Sequence, residues 1–366
     1  MKKIRVAQVD CGGRGIAHLE GWMANDDRFE VVALCELDAA RMKAATERFG
    51  IAPELYTDAD RMLAEIKPDL FCFATMPNVR LSMVELAAKH SIKGLAFEKP
   101  MALTLSEASR IVELCRDGGI KATVCQQHLY TTSFLKLKEI IDAGEIGTPA
   151  EIHATTTGNL FDRGCHYTHY LLWASGFARP RWVIGHMHGR GQFVSSHPSP
   201  DFCLVRLEFD NGVRALGEFG AMAPLYEPDG TWQVNRVTVH GSHGTAWAEN
   251  TGLWGAFSTA SNGDALRGEG AGYTRQNPGA GWSWQAPRIQ AAYARDIADS
   301  LEGTLADHPC SVEYAYRGFE VLAGACYSAL ERVRVDFPLA DASGIGDVFK
   351  RLQEQLPESP LGGAVR

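Results

Sequence analysis

Short apolar runs and amphipathic stretches alternate through the first 125 residues of the chain. Residues 4–9, 29–35, 70–75, 94–97 and 121–125 are apolar, which predicts buried strands. Between them, residues 16–24, 38–49, 60–66, 81–90 and 106–117 carry apolar side chains at helical spacing, such as Ile16, Leu19 and Met23. Residues 56–58 read as a plain connection. Regular β/α alternation of this kind predicts an α/β domain with a doubly wound, parallel Rossmann sheet.

The pattern changes after residue 125. Residues 133–143 predict an amphipathic helix that ends at Gly144. Strand patterning then recurs at 151–157, 182–188, 201–209, 212–219, 234–240 and 245–249, with Asp210-Asn211-Gly212 as a hairpin signal. These strands predict a C-terminal α+β domain with a large, mostly antiparallel open sheet. Residues 253–287 are rich in Gly, Asn, Ser and Trp and read as a long loop, either functional or disordered. Helices are expected at 288–302, 311–332 and 345–355, a strand at 335–339 and a mobile tail at 359–366. The expected division is 1–125 for the first domain, 126–340 for the second, and 341–366 for a terminal helix and tail.

Composition narrows the classes. A net charge of −8 favours neither nucleic acid nor an anionic membrane surface. Nine cysteines without a C-x-x-C pair argue against a zinc ribbon or disulfide framework, so a cytoplasmic location is expected. No run approaches the 18 apolar residues of a membrane span, and residues 6–9 are too short for a signal-peptide core.

Four features carry chemistry. Cys11-Gly12-Gly13-Arg14-Gly15 joins the first strand to the first helix, where backbone N–H groups can approach a pyrophosphate. The G-x-G-x-x-G frame falls on Asp10, Gly12 and Gly15, so Asp stands at the first position, and Asp tolerates a left-handed turn. Glu36 ends the second strand at the spacing of an acid that binds ribose hydroxyls; it would repel a 2′-phosphate, which favours NAD over NADP. Glu98-Lys99-Pro100 stops the strand at 94–97, either as solvated charges or as ligand-binding groups at the carboxyl end of a parallel sheet. Finally, Asp162, His166, His169 and Trp173 fall on one face if their segment is helical.

The VDCGGRG stretch, Glu36, Met76-Pro77-Asn78 and Glu98-Lys99-Pro100 resemble the Gfo/Idh/MocA family of oxidoreductases. The resemblance implies NAD(P)-dependent oxidation of sugars, inositols or polyols. It also implies a cis Lys99–Pro100 bond and a Lys99 that bonds both cofactor and substrate. Cofactor contacts are implied for Gly12, Gly13, Arg14, Gly15, Glu36, Thr75, Pro77, Asn78, Glu98, Lys99 and Gln127. The segment around Asp162 resembles the family's D-x-G-x-H-x-x-D element, with Asp162 and His166 matching and His169 replacing the second Asp. Substrate contacts are implied for Lys99, His128, Tyr130, Asn159, Asp162, Arg163, His166 and His169. Gln126 to Tyr130 stand where the family often has Arg, and Arg80 and Leu81 where it often has His. Both departures point to an unusual substrate, away from inositol dehydrogenase in the narrow sense. The open sheet implies a homodimer or homotetramer.

Within that resemblance, oxidation of a secondary hydroxyl needs a base, and an imidazole suits neutral pH. His166 is the expected acid or base, Lys99 the cationic partner and Asp162 the orienting group. Trp282 and Trp284 either stack on a sugar face or anchor their loop. Three other readings compete. One is a redox-assisted lyase or glycosidase with recycled NAD, and another an NAD-binding sensor without catalysis. The third is a metal site built on Asp162, His166 and His169, with His186 or His188 nearby.

Overall fold

The computed structural model describes residues 2–194, 199–221, 223–224, 235–259, 265–269, 278–339 and 348–358. The side chains of residues 161–162, 194, 235, 265–269 and 278–284 lie outside that description. Cα packing divides the chain into two units. The first is Met1–Gln127 with Ala286–Tyr316, and the second is His128–Gln285 with Arg317–Arg366.

In the first unit six strands form one parallel sheet: β1 (Ile4–Val9), β2 (Phe29–Cys35), β3 (Glu54–Tyr56), β4 (Leu70–Phe73), β5 (Gly94–Glu98) and β6 (Lys121–Cys125). Their order is β3-β2-β1-β4-β5-β6, the doubly wound arrangement that the β/α alternation predicts. β4 and β5 are buried at every position, which suits a sheet covered on both faces. The connecting helices are α1 (Gly13–Met23), α2 (Ala39–Phe49), α3 (Ala59–Ile66), α4 (Arg80–Lys89) and α5 (Leu105–Gly118). Their starts follow local chemistry. Asp38 and Asp58 cap α2 and α3, and Thr104 with Glu107 forms a capping box on α5.

β3 corrects the reading of residues 56–58 as a plain connection. It is only three residues long and its first two are exposed, so it carries little pattern of its own. Pairing with the edge of β2 is what makes it a strand.

The second unit holds α6 (Thr132–Asp142), β7 (Pro149–Thr156), α7 (Cys165–Ala174), β8 (Pro180–His188), β9 (Phe202–Phe209), β10 (Arg214–Gly220), β11 (Asn235–Gly241), β12 (Gly244–Glu249), β13 (Leu253–Ser258) and β14 (Ala265–Glu269). α8 (Pro278–Glu302) and α9 (Val312–Glu331) follow in the chain, with residues 286–302 of α8 and 312–316 of α9 belonging to the first unit; β15 (Val335–Asp336) and α10 (Val348–Gln355) complete the second. Among the described residues the nine strands are ordered β14-β13-β12-β11-β7-β10-β9-β8-β15. Every pairing is antiparallel except that of β7 with β10. β9 alternates strictly between buried and half-buried positions, so one sheet face is packed and the other is more open.

The expected loop at 253–287 is also corrected. It contains β13, β14 and the first ten residues of α8, which runs through Pro287. Gly255 lets β13 lie against the Trp247 ring, where an added Cβ would come within 2.7 Å of the indole. That requirement comes from the neighbouring strand, and no period along the chain reveals it. The side chains of Trp282 and Trp284 and the tail at 359–366 lie outside the described residues.

Candidate functional site

The glycine loop begins with a left-handed residue, Asp10, at φ 83°. That conformation is costly for a residue with a side chain, and here the carboxylate offsets the cost with hydrogen bonds. Oδ1 accepts from the Gly12 N–H at 3.0 Å and Oδ2 from the Gly15 N–H at 3.2 Å. The carboxylate does not face away from the loop; it braces it. Gln8 adds to the brace, donating to the carbonyls of Asp10 at 3.0 Å and Gly15 at 2.9 Å. An added Cβ at Gly15 would strike the Asp10 carbonyl, whereas one at Gly13 would meet nothing within 4 Å. The loop is therefore tightly built on its inner side and open at Gly13. The N–H groups of Gly13 and Arg14 stand in the first turn of α1, where no intrahelical acceptor exists.

Glu36 stands beside this loop. Its Oε2 accepts from the Cys11 N–H at 3.1 Å, and its Oε1 from Leu37 at 2.8 Å and Asp38 at 3.3 Å. Burial raises its carboxyl, but these three N–H groups and Arg41 outweigh that and hold it below its usual range. Asp10 moves the other way. Burial, supported by the neighbouring Glu36 charge, raises it against the opposing pull of the Gly12 and Gly15 N–H groups.

β5 ends at Glu98, and the Lys99–Pro100 bond that follows is cis, as the resemblance implies. Glu98 is buried, and its Oε1 accepts from Arg14 Nε at 2.9 Å and Nη2 at 2.7 Å. The same atom meets His18 Nε2 at 3.1 Å. Burial would raise this carboxyl, yet Arg14, His18 and Lys99 hold it well below the usual range. Arg14 and Glu98, both expected to touch a cofactor, are thus brought to each other. His18 was missed by the sequence reading because a lone histidine on a helix carries no signal of a partner 80 residues away.

Other polar groups follow the carboxyl ends of β4 and the edge strand β6. The Thr75 hydroxyl and the Gln126 amide oxygen are buried and have no hydrogen-bond partner among the described residues. Pro77 and Asn78 lie in a 3₁₀ turn after β4. Gln127 is buried beside Cys125, whose thiol lies 3.5 Å from Gln127 Oε1.

In the second unit, His128 and His166 are both buried, and their rings stack at 4.5 Å with planes 8° apart. Tyr170 continues the stack beyond His166 at 6.0 Å, and Phe134 of α6 packs on both Tyr170 and Trp173. His166, Tyr170 and Trp173 thus follow helical spacing along one face of α7. The residues before α7 form a π-helical turn, Leu160–Gly164, instead of an α-helical start, so the step from Asp162 to His166 is not a regular α-helical one. The Asp162 side chain lies outside the described residues. His169 is buried, and its ring meets Phe177 edge-on at 5.8 Å. Asn159 accepts at its carbonyl from the N–H groups of Arg163 and Gly164, and the Arg163 side chain lies over Gly158. Tyr130 closes a 3₁₀ turn that begins at Gln127. Lys99 belongs to the first unit, and His128, Tyr130, Asn159, Asp162, Arg163, His166 and His169 to the second.

A parallel sheet in Rossmann order, a braced glycine loop at a helix start and an acid at the end of β2 together define a dinucleotide-binding α/β domain. Residues 4–126 match the family model described as oxidoreductase family, NAD-binding Rossmann fold. Residues 4–126 are accordingly similar to the NAD-binding Rossmann domain of the Gfo/Idh/MocA oxidoreductases. It is 34% identical over 149 residues to a D-apiose dehydrogenase of Paraburkholderia graminis, covering 41% of this chain and 39% of that protein. Identity to an inositol 2-dehydrogenase of Salmonella paratyphi B is 28% over 151 residues, covering 41% and 45%. The matches thus span less than half the length of these curated relatives. In fold, the chain is similar to an oxidoreductase from Agrobacterium radiobacter solved with NAD+, L-tartaric acid and magnesium, with a TM-score of 0.76 at 19% identity over 92% of this chain and 98% of that one.

Proposed function

We propose that the protein is an NAD-dependent dehydrogenase that oxidises a secondary hydroxyl of a sugar, glycoside or polyol. The observation that carries this reading is the loop from Asp10 to Gly15, braced on its inner side and open at Gly13, in the same sheet as the strand that leads to Lys99. The residues present suit a nicotinamide dinucleotide. The first-turn N–H groups of Gly13 and Arg14 would donate to the pyrophosphate of a bound dinucleotide. The buried Thr75 hydroxyl and Gln126 amide oxygen are donor and acceptor groups in want of partners at the carboxyl edge of the sheet. Glu36, held as an anion by three backbone N–H groups, accepts from ribose hydroxyls and repels a 2′-phosphate, so the cofactor is NAD in preference to NADP.

When bound, the nicotinamide supplies the hydride acceptor. The chain supplies proton handling and position. His166 takes the hydroxyl proton on oxidation and returns it on reduction, its ring packed by those of His128 and Tyr170. Lys99 bonds the same oxygen as a cation and polarises a carbonyl in the reverse direction. Asp162 orients the imidazole or a neighbouring hydroxyl. Tyr130, Asn159, Arg163 and His169 contact the remaining hydroxyls. A small-molecule substrate and a homo-oligomer joined through the more open sheet face complete the reading. Dinucleotide titration followed by a sugar and polyol panel, with NADH release as the readout, tests it. Saturable NAD binding with NADH formed on at least one polyol supports the proposal. NADP preference, or no NADH with any of them, overturns it.

A further inference from the structure

Arg14, Gln290, His18 and Glu98 close a ring of hydrogen bonds that admits one orientation. Arg14 Nη2 donates to Gln290 Oε1 at 3.4 Å, and Gln290 Nε2 lies 3.2 Å from His18 Nδ1. His18 Nε2 meets Glu98 Oε1 at 3.1 Å, and Arg14 donates to the same Glu98 oxygen. Guanidinium groups only donate and carboxylates only accept. Arg14 therefore fixes which end of the Gln290 amide is oxygen, so Gln290 Nε2 donates to His18 Nδ1. His18 Nδ1 is then an acceptor and Nε2–H a donor to Glu98, which specifies the neutral imidazole in a single tautomer. His18, Glu98 and Gln290 are all buried. The ring joins three elements: the first turns of α1, the end of β5 that leads into Lys99, and α8.

We propose that His18 and Gln290 are positioning residues, whose hydrogen bonds hold Arg14 and Glu98 so that the glycine-loop helix and the Lys99 backbone keep the geometry that binds the dinucleotide. This rests on the function proposed above. His18, Glu98 and Cys125 also place metal-ligating atoms within 4.8 Å of one another. Arg14 fills that corner instead, with Nη2 at 2.7 Å from Glu98 and 3.7 Å from the Cys125 thiol, so the cluster reads as a brace and not as a cation site.

Two variants test it. Gln290→Leu keeps the bulk and removes both hydrogen bonds. It is expected to weaken NAD binding about tenfold, measured by calorimetry, while circular dichroism stays that of the native fold. Gln290→Glu still accepts from Arg14 but, as a carboxylate, cannot donate to His18. Gln290→Glu is therefore expected to weaken NAD binding about as much as Gln290→Leu, because both lack the hydrogen bond to His18. A purely structural role would lower the thermal midpoint of both variants and leave the NAD affinity of the folded protein unchanged. NAD binding with wild-type affinity in Gln290→Leu or in Gln290→Glu overturns this inference alone. Absence of NAD binding by the wild-type protein overturns the proposed function and this inference with it.

Discussion

Arg14 donates from both Nε and Nη2 to one oxygen of Glu98, across a sequence separation of 84 residues. The pair sets an acid limit on stability. Because the Glu98 carboxyl is held below its usual value in the folded protein, the unfolded chain takes up its proton first as pH falls. Stability is then fully present above about pH 4.3, the unfolded value, and is lost progressively below it. Glu36 has the same sign. Thermal midpoints recorded from pH 7 to pH 3 should fall steeply at the acid end for wild type. Glu98→Gln should start about 3 kcal/mol lower at pH 7 and show a shallower acid fall.

Lys99→Met removes the cation without removing the glycine loop, Glu36 or the Thr75 hydroxyl. Affinity for NAD should change little, while turnover falls by at least ~100-fold. Parallel calorimetry and steady-state rates separate the two effects. Retained turnover would remove Lys99 from the mechanism.

His166→Asn should likewise leave NAD bound and lower turnover ~100-fold or more. His128→Ala removes one face of the stack and leaves His166 in place; a loss of about 1 kcal/mol of ring packing predicts a roughly fivefold slower rate. A His128→Phe variant keeps a ring at that position and should recover most of the difference. Equal rates for Ala and Phe would show that the stack does not hold His166.

Asp10→Gly relieves a left-handed residue and removes a carboxylate from the loop, at the cost of two hydrogen bonds to backbone N–H groups. Freed N–H groups and lost negative charge both favour a pyrophosphate. NAD affinity should rise severalfold. Asp10→Ala keeps the backbone strain while losing the bonds, and should unfold about 1–2 kcal/mol more easily than wild type.

Glu36→Ala removes the repulsion of a 2′-phosphate together with the acceptor for ribose hydroxyls. The NAD-to-NADP affinity ratio should drop about tenfold or more, read from separate titrations. An unchanged ratio would show that discrimination lies elsewhere in the loop.

The sequence alone determined what is local and periodic. The βα alternation specifies the first sheet, and the position of Glu36, the end of the strand before Lys99 and the strands at 182–249 follow from runs whose period is their own. The glycine loop was legible too, although only the structure shows that the Asp10 carboxylate turns inward to hold Gly12 and Gly15. What the tertiary structure decided depends on partners distant in the chain. β3 is a strand because β2 offers an edge, and β13 can lie against the Trp247 ring because Gly255 has no side chain. α8 continues through Pro287, a residue that local reading takes as a stop. His128 finds His166, and His18 finds Glu98 and Gln290, through rings and hydrogen bonds that span tens to hundreds of residues. Periodicity records which face of an element is buried; it holds no record of which side chain on another element will satisfy a buried polar atom, and that pairing exists only once the chain is folded.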